Sequence, residues 1–503
     1  MVCTLVSRIL GFVKNIVIAA TFGATAKADV LNAVFNIPNN FRKLLAEGAL
    51  SSAFIPVLSG CIVKDPRSPE ARKLVRNILT FQLLILVPLL TFSVLFSRYI
   101  VTAFLDFPET EKMELSAALF RWICHYLLFI SVGALLMGVL NSHGIFIIPA
   151  LTPILFSVCV IGSILLLHRQ LGVFSMAVGV LSGGLFQVLF QIPVFRRAGY
   201  DFKLDFGFKN EEFRRVIRLW FPVVATSSIF VINQQIAIRF SSGLQEGSAS
   251  ALSYALVVWQ LPFGVFSTSV TTVLFPRLSR QAASGDKDGL IASLGYGMGF
   301  LFALLVPSSI FFIVMGKEIV KMVYQHGRFM LEDTIMTTQV LTAYSFGLFC
   351  VGAYTFLGRF FYSIKDYKTP FLVALLLTGI DITLSLWLKE TYLRVAGLAL
   401  ANSCAFTLGF VVLIFIAYKK LGRLNGKKLG KTFSRITLSL ILPTAALAGY
   451  TSALKAYTTS ESSWNNVLIL TGGLIIFSVL TVLFYYIAGV EIVRDMLSRR
   501  FKR

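Results

Sequence analysis

The chain has 503 residues, of which 56% are hydrophobic and 14% charged, and its mean hydropathy is +0.79. Soluble domains carry about 25% charged residues, so the composition excludes a soluble globular fold and predicts an all-α polytopic membrane protein. The net charge of +22 lies in loops between apolar runs, which is the pattern of orientation charge, and no nucleic-acid partner is expected.

Residues 1–22 have the length of a signal peptide, but Arg8 and Lys14 interrupt the apolar run, and a first transmembrane helix is expected instead. The next stretch, 25–60, is unusual. Asp29, Asn32, Asn36, Asn39, Lys43 and Glu47 recur at steps of three or four and share one helical face, with Arg42 beside it. A charge near the bilayer centre costs about 2.5–3.5 kcal/mol, so this face must look into a water-filled cavity or a polar protein interior. Pro38 is expected to kink the helix there.

Apolar segments at 2–22, 29–60, 76–104, 115–140, 145–167, 172–195, 216–241, 248–276, 290–322, 333–362, 369–388, 395–418, 436–455 and 465–489 predict fourteen transmembrane helices. Lys and Arg concentrate at 64–76, 196–218, 277–287, 365–368, 419–435 and 494–503, all on one side under this count. Both termini are therefore expected in the cytoplasm of a multi-pass protein.

The chain repeats itself at an offset near 220 residues: FIPVLS at 54–59 with LFPRLS at 274–279, NIP at 36–38 with QLP at 260–262, Ser142 and Pro149 with Ser363 and Pro370. Two six-helix lobes, 1–197 and 198–420, related by pseudo-two-fold symmetry about the membrane normal, are expected around a site at mid-depth. Residues 421–503 add two helices and a basic tail.

Intramembrane charge is concentrated at Arg8, Lys14, Asp29, Arg42, Lys43 and Glu47, with the amide of Asn39 among them, in the first two spans. Local i,i+4 pairing and snorkelling of Lys14 and Arg42 would explain it without a ligand. A cationic cavity for an anionic, phosphate-bearing ligand is the alternative. Asp381 lies in the apolar run 371–388 with Thr378 and Ser385 on its face, while Asn233 is mid-way along the seventh span and Asn402 begins the twelfth. An acid so placed is either a packed, protonated side chain or a cation site for Na⁺ or H⁺. The six cysteines and four histidines show no metal-ligand spacing. GVLSGG at 179–184 reads as close helix packing, and no phosphate loop, HExxH or nucleophile elbow suggests an enzyme.

SRILGFVKNIVIAATFG at 7–23, ADVLNAVFNIPNNFRKLLAEGALSSAFIPVLS at 28–59, QHGRF at 325–329 and FYSIKDYKTP at 361–370 resemble the MurJ (MviN) family, lipid II flippases of the MOP exporter superfamily, over nearly the whole chain. The resemblance implies two lobes opening alternately around a cationic cavity, and two C-terminal helices forming a groove for a lipid tail. The implied ligand is a polyprenyl-pyrophosphate-linked disaccharide–pentapeptide, moved to the outer leaflet of the bacterial cytoplasmic membrane for peptidoglycan synthesis, with membrane lipids around a monomeric, non-enzymatic chain. Arg8, Asp29, Asn39, Arg42 and Glu47 match the family pattern, Lys14-Asn15 stands where the family has Arg-Asp, and uncharged Val257 stands near a family arginine. Asn233, Asp381 and Ser385 resemble its suggested sodium site. Other readings are a different MOP exporter, either an oligosaccharide-lipid flippase or a cation-coupled drug exporter, and a membrane enzyme acting on polyprenyl-diphosphate sugars.

Overall fold

The computed structural model describes residues 2–45, 49–65, 68–422, 426–457 and 463–490. Among them helices are the regular structure and no strand occurs. In chain order they are α1 (Val2–Phe22), α2 (Ala26–Leu45), α3 (Ala49–Lys64), α4 (Pro69–Leu95), α5 (Ser97–Phe104), α6 (Thr110–Ile123), α7 (Tyr126–Ser142), α8 (Ile147–Leu171), α9 (Phe174–Arg197) and α10 (Glu211–Ser242). There follow α11 (Ser248–Pro262), a π-helical turn (Phe263–Ser267), α12 (Thr268–Ala283), α13 (Lys287–Tyr324), α14 (Leu331–Phe346) and α15 (Leu348–Ser363). The chain closes with α16 (Lys368–Leu388), α17 (Arg394–Leu421), α18 (Gly426–Tyr457) and α19 (Ser463–Ile487).

Among the described residues, ten helices are long and apolar enough to cross a membrane, or eleven if α14 and α15, bent by 46°, form one span. The other three expected spans, 2–22, 29–60 and 216–241, contain residues or side chains outside the described set. Several apolar runs are interrupted rather than continuous. α4 gives way to α5 at Phe96 (φ −105°, ψ 25°), and α6 and α7 meet at Cys124–His125. The π-turn directly follows Pro262, whose missing N–H removes one rung of the helical ladder and favours a register slip. By contrast α2 runs on as helix through Pro38.

Helix starts follow capping chemistry. Ser68 Oγ accepts from the Glu70 and Ala71 N–H groups ahead of Pro69, and Asp286 Oδ1 accepts from Gly289 N at 2.8 Å to open α13.

Contacts divide the chain into two units, Met1–Ser250 with Gly327–Phe329, and Ala251–His326 with Met330–Arg503. In the first, Phe54, Leu58, Leu74, Ile78, Leu135, Phe195 and Val216 build a core shared by α3, α4, α7, α9 and α10. α8 and α9 pack at GVLSGG, as expected: a Cβ on Gly179 would lie 2.7 Å from Val160 Cα, and one on Gly183 would lie 2.9 Å from Phe156. α10 packs on α2, α3, α4 and α5. Gly327 has φ +62° and so little room that a Cβ would collide with the Ala20 carbonyl, while Arg328 N donates to that same oxygen at 2.9 Å.

In the second unit, Tyr254 and Tyr324 pack with ring centroids 5.1 Å apart, and Phe302 stacks on Phe433 of α18 at 4.1 Å. The C-terminal pair docks on α13: Phe311 meets Phe477 at 6.0 Å, and Tyr485 OH donates to the Ala303 carbonyl at 3.1 Å.

Candidate functional site

The polar face of α2 divides along its length. At its start, Asp29 is buried, and its two carboxylate oxygens accept from the backbone N–H groups of Gly247 (2.7 Å) and Ser250 (2.8 Å). It thus satisfies donors of the first turn of α11 that have no intrahelical partner, and its negative charge suits that end of a helix. Asn32 Nδ2 donates to Ser250 Oγ at 3.3 Å, Asn36 Nδ2 to the Asn32 carbonyl at 2.8 Å, and Glu246 Oε1 accepts from Ala26 N at 2.6 Å. Asn40 donates to Gln235 Oε1 on α10 at 3.2 Å, and Gln235 Nε2 donates in turn to the Phe104 carbonyl. This part of the stripe is polar protein interior.

The cationic part is organised differently. Lys14 of α1 is half-buried, with its ammonium 5.5 Å from the ring centroid of Phe35 and 5.6 Å from that of Phe156. Tyr126 of α7 packs beside those rings, at 6.4 Å from Phe35 and 5.3 Å from Phe156, and the faces that flank the amine come from α2 and α8. No carboxylate pairs with Lys14 among the described residues. Arg42, also half-buried, lies within electrostatic reach of Lys14 and Tyr126, and its Nε donates to Asn39 Oδ1 at 3.0 Å. Arg8 is exposed on α1. Asn15, which stands where the family has an acid, turns its amide back onto the Gly11 carbonyl at 2.8 Å. Of the expected site residues, the structure therefore brings Lys14, Asn39 and Arg42 together and commits Asp29 to backbone capping. Glu47 lies outside the described residues, as does the side chain of Lys43.

A second ionic centre belongs to the other unit. Asp381 is buried in α16, where Oδ1 accepts from Ser385 Oγ at 3.3 Å and Oδ2 from Asn402 Nδ2 at 2.8 Å. Thr378 instead bonds the Ala374 carbonyl of its own helix. Asn233, expected beside Asp381, is half-buried on α10 in the first unit. Val257 is half-buried and uncharged.

Two features escaped the sequence reading. Phe35, Tyr126 and Phe156 carry no signal that separates them from ordinary core aromatics. Arg359 does carry one, being the lone ionised side chain of apolar α15, and its guanidinium stands 5.8 Å from the Phe275 ring centroid.

Ten or eleven long apolar helices, with no strand among the described residues, define a polytopic all-helical membrane protein. An inward-facing multidrug MATE transporter of the MOP superfamily superposes with TM-score 0.67, covering 83% of this chain and 96% of its own at 14% identity, which speaks for the fold alone. A solved structure of the lipid II flippase MurJ in an inward closed conformation superposes with TM-score 0.80 over 99% of both chains, at 25% identity. The sequence profile of the lipid II flippase MurJ family matches residues 18–488. The probable lipid II flippase MurJ of Borreliella burgdorferi is 34% identical over 420 residues, 84% of this chain and 82% of that protein. That of Vibrio cholerae is 32% identical over 422 residues, 82% and 80% of the two chains. The chain belongs to the MurJ lipid II flippase family, a family of multi-span membrane transporters.

Proposed function

We propose that this chain moves lipid II, the polyprenyl-pyrophosphate-linked disaccharide–pentapeptide, from the cytoplasmic to the outer leaflet of the bacterial inner membrane by alternating access. One observation carries the reading: Lys14 of α1 stands against the Phe35 and Phe156 rings with the like-charged Arg42 of α2 within electrostatic reach. Like charges gathered in a low-dielectric setting repel, and an entering anion relieves the repulsion while repaying its own desolvation. A pyrophosphate supplies that anion, and a guanidinium matches its oxygens. Arg8 extends the cationic lining and Asn39 orients Arg42; Lys43 and Glu47 are assigned to the same site from the sequence alone. Asp29 serves by holding the first turn of α11.

The lobes proposed at 1–197 and 198–420 rest on the internal repeat, and the packing of α10 on α2 and α3 is then the contact that alternation has to break. The groove for the polyprenyl tail is assigned to residues 421–503, and the termini to the cytoplasm, from the basic loops. An inside-negative potential favours outward transfer of ligand-borne charge by about 2.3 kcal/mol per charge per 100 mV. Asp381 and Ser385, with Asn402, are proposed as the site of Na⁺ or H⁺ coupling; the further assignment of Asn233 to it rests on the sequence resemblance alone. The test is a proteoliposome assay scoring fluorescent lipid II against another polyprenyl-diphosphate sugar. Transport of lipid II at least tenfold faster is expected; equal rates would make the chain a general oligosaccharide-lipid flippase.

A further inference from the structure

Lys14 is held in a way that suits a group waiting for an anion. Two rings, Phe35 and Phe156, stand 5.5 and 5.6 Å from its ammonium, and no carboxylate pairs with it among the described residues. A carboxylate would cancel the charge of the amine and compete with an entering anion. A ring face attracts the cation through its quadrupole and leaves the formal charge in place. A lysine is a point charge on a flexible four-carbon stem, so fixing the ammonium beforehand removes an ordering cost from binding.

The rings are themselves fixed. Phe35 of α2, Tyr126 at the start of α7 and Phe156 of α8 follow one another at 6.4 and 5.3 Å between centroids, with Tyr126 buried in the middle. Two adjacent glycines of α9 make room for two of the three. A Cβ on Gly183 would lie 2.9 Å from Phe156 Cδ2 and 3.2 Å from its Cα, and one on Gly184 would lie 2.9 Å from Tyr126 Cδ2. α8 is also clamped to α9 on either side of Phe156. Gln187 Nε2 donates to the Thr152 carbonyl at 2.9 Å, and Ser163 Oγ donates to the Ser175 carbonyl at 2.6 Å. The close approach of α9 thus decides where Phe156 stands, and Phe156 stands against Lys14.

We propose that Phe35 and Phe156, backed by Tyr126, form an aromatic cradle that positions the Lys14 ammonium, and that Gly183 and Gly184 are positioning residues that set the cradle. What the amine is presented to is the pyrophosphate of lipid II, a step that rests on the function proposed above. The glycine pair then acts on the ligand at third hand, through two rings and one amine, and touches none of it.

The experiment uses the full-length protein in nanodiscs and reads two things. The first needs no ligand: the Cε–Hε resonance of ¹³C-labelled Lys14, assigned by its disappearance in Lys14→Gln. It is expected upfield of the other lysines from the ring currents, to lose that shift in Phe156→Leu, to regain it in Phe156→Tyr, and to move part-way in Gly184→Ala. The second is lipid II affinity, expected to fall about tenfold in Phe156→Leu and to recover in Phe156→Tyr. When Lys14→Gln is already present, Phe156→Leu is expected to cost nothing more, whereas a packing role would cost the same in both backgrounds. An unshifted Lys14 resonance, or equal losses with and without Lys14, would overturn the proposal. A shifted resonance with full lipid II affinity in Lys14→Gln would uphold the cradle and sink the pyrophosphate reading instead. Should Phe156→Leu fail to fold, Phe35→Leu is put through the same cycle with the same expected outcomes.

Discussion

The two ionic centres solve opposite problems. Asp381 is a buried carboxyl group that meets its needs locally, one oxygen on Ser385 and the other on Asn402. Lys14 is a half-buried cation whose neighbours are π faces and the like-charged Arg42. A membrane-buried charge with hydrogen-bonding partners is compatible with a resting protein, whereas two neighbouring cations among aromatic rings store repulsion for a ligand to release. Under the proposed function, bulk anion recognition falls to α1–α2 and small-ion chemistry to α16–α17.

The largest effect is expected at the cationic centre. Arg42→Ala and Arg8→Ala should each abolish complementation of a flippase-depleted strain, a loss above 100-fold in lipid II transport, with normal membrane insertion. Growth at native expression would take the residue out of the site. Next, Asp381→Asn should change the Na⁺ or pH dependence of transport while leaving lipid II binding within about twofold. Unaltered ion and pH profiles would make Asp381 a packing residue, and the division between the centres would fail.

Asp29 falls between the two, an acid of the cationic unit spent on structure. Asp29→Ala removes two charge-assisted hydrogen bonds from buried N–H groups and should cost about 2–3 kcal/mol, read as a lower thermal midpoint. Lost transport without any change in midpoint would instead point to direct ligand contact.

The smallest effect lies outside the membrane. Arg76 Nε and Nη2 donate to Asp201 at 2.7 and 2.5 Å, and this holds the Asp201 carboxyl below its ordinary range. A depressed folded value means that its stabilisation is present above the unfolded pKa and is lost only as pH falls through the folded one. The pair is partly exposed, so Asp201→Asn should cost about 0.2–1 kcal/mol at neutral pH and nothing once the pH drops below the depressed value. A penalty that persists in strong acid would contradict this.

Much of this was legible in the sequence, because hydrophobic length and loop charge are local properties. The apolar runs appear as helices, and the glycines of GVLSGG do sit where helices touch. The polar stripe of α2 was legible as a face that lipid cannot cover. What covers it was not: Asp29 finds its partners at Gly247 and Ser250, more than two hundred residues away, a tertiary pairing that spacing cannot encode. The interruptions at Phe96, at Cys124 and after Pro262 were missed for a related reason, since hydropathy averages over a helix and its break alike. Arg359 was legible as a single charge in an apolar run, but its seat against Phe275, more than eighty residues away, was not.

The most direct measurement is equilibrium binding of lipid II to purified protein carrying Lys14→Gln and Arg42→Gln together, compared with its unaltered form and with Asp381→Asn. Affinity should fall more than 100-fold in the double variant and stay within about twofold in Asp381→Asn. Unchanged affinity in the double variant, with the protein folded, would contradict the assignment of pyrophosphate to the first two helices.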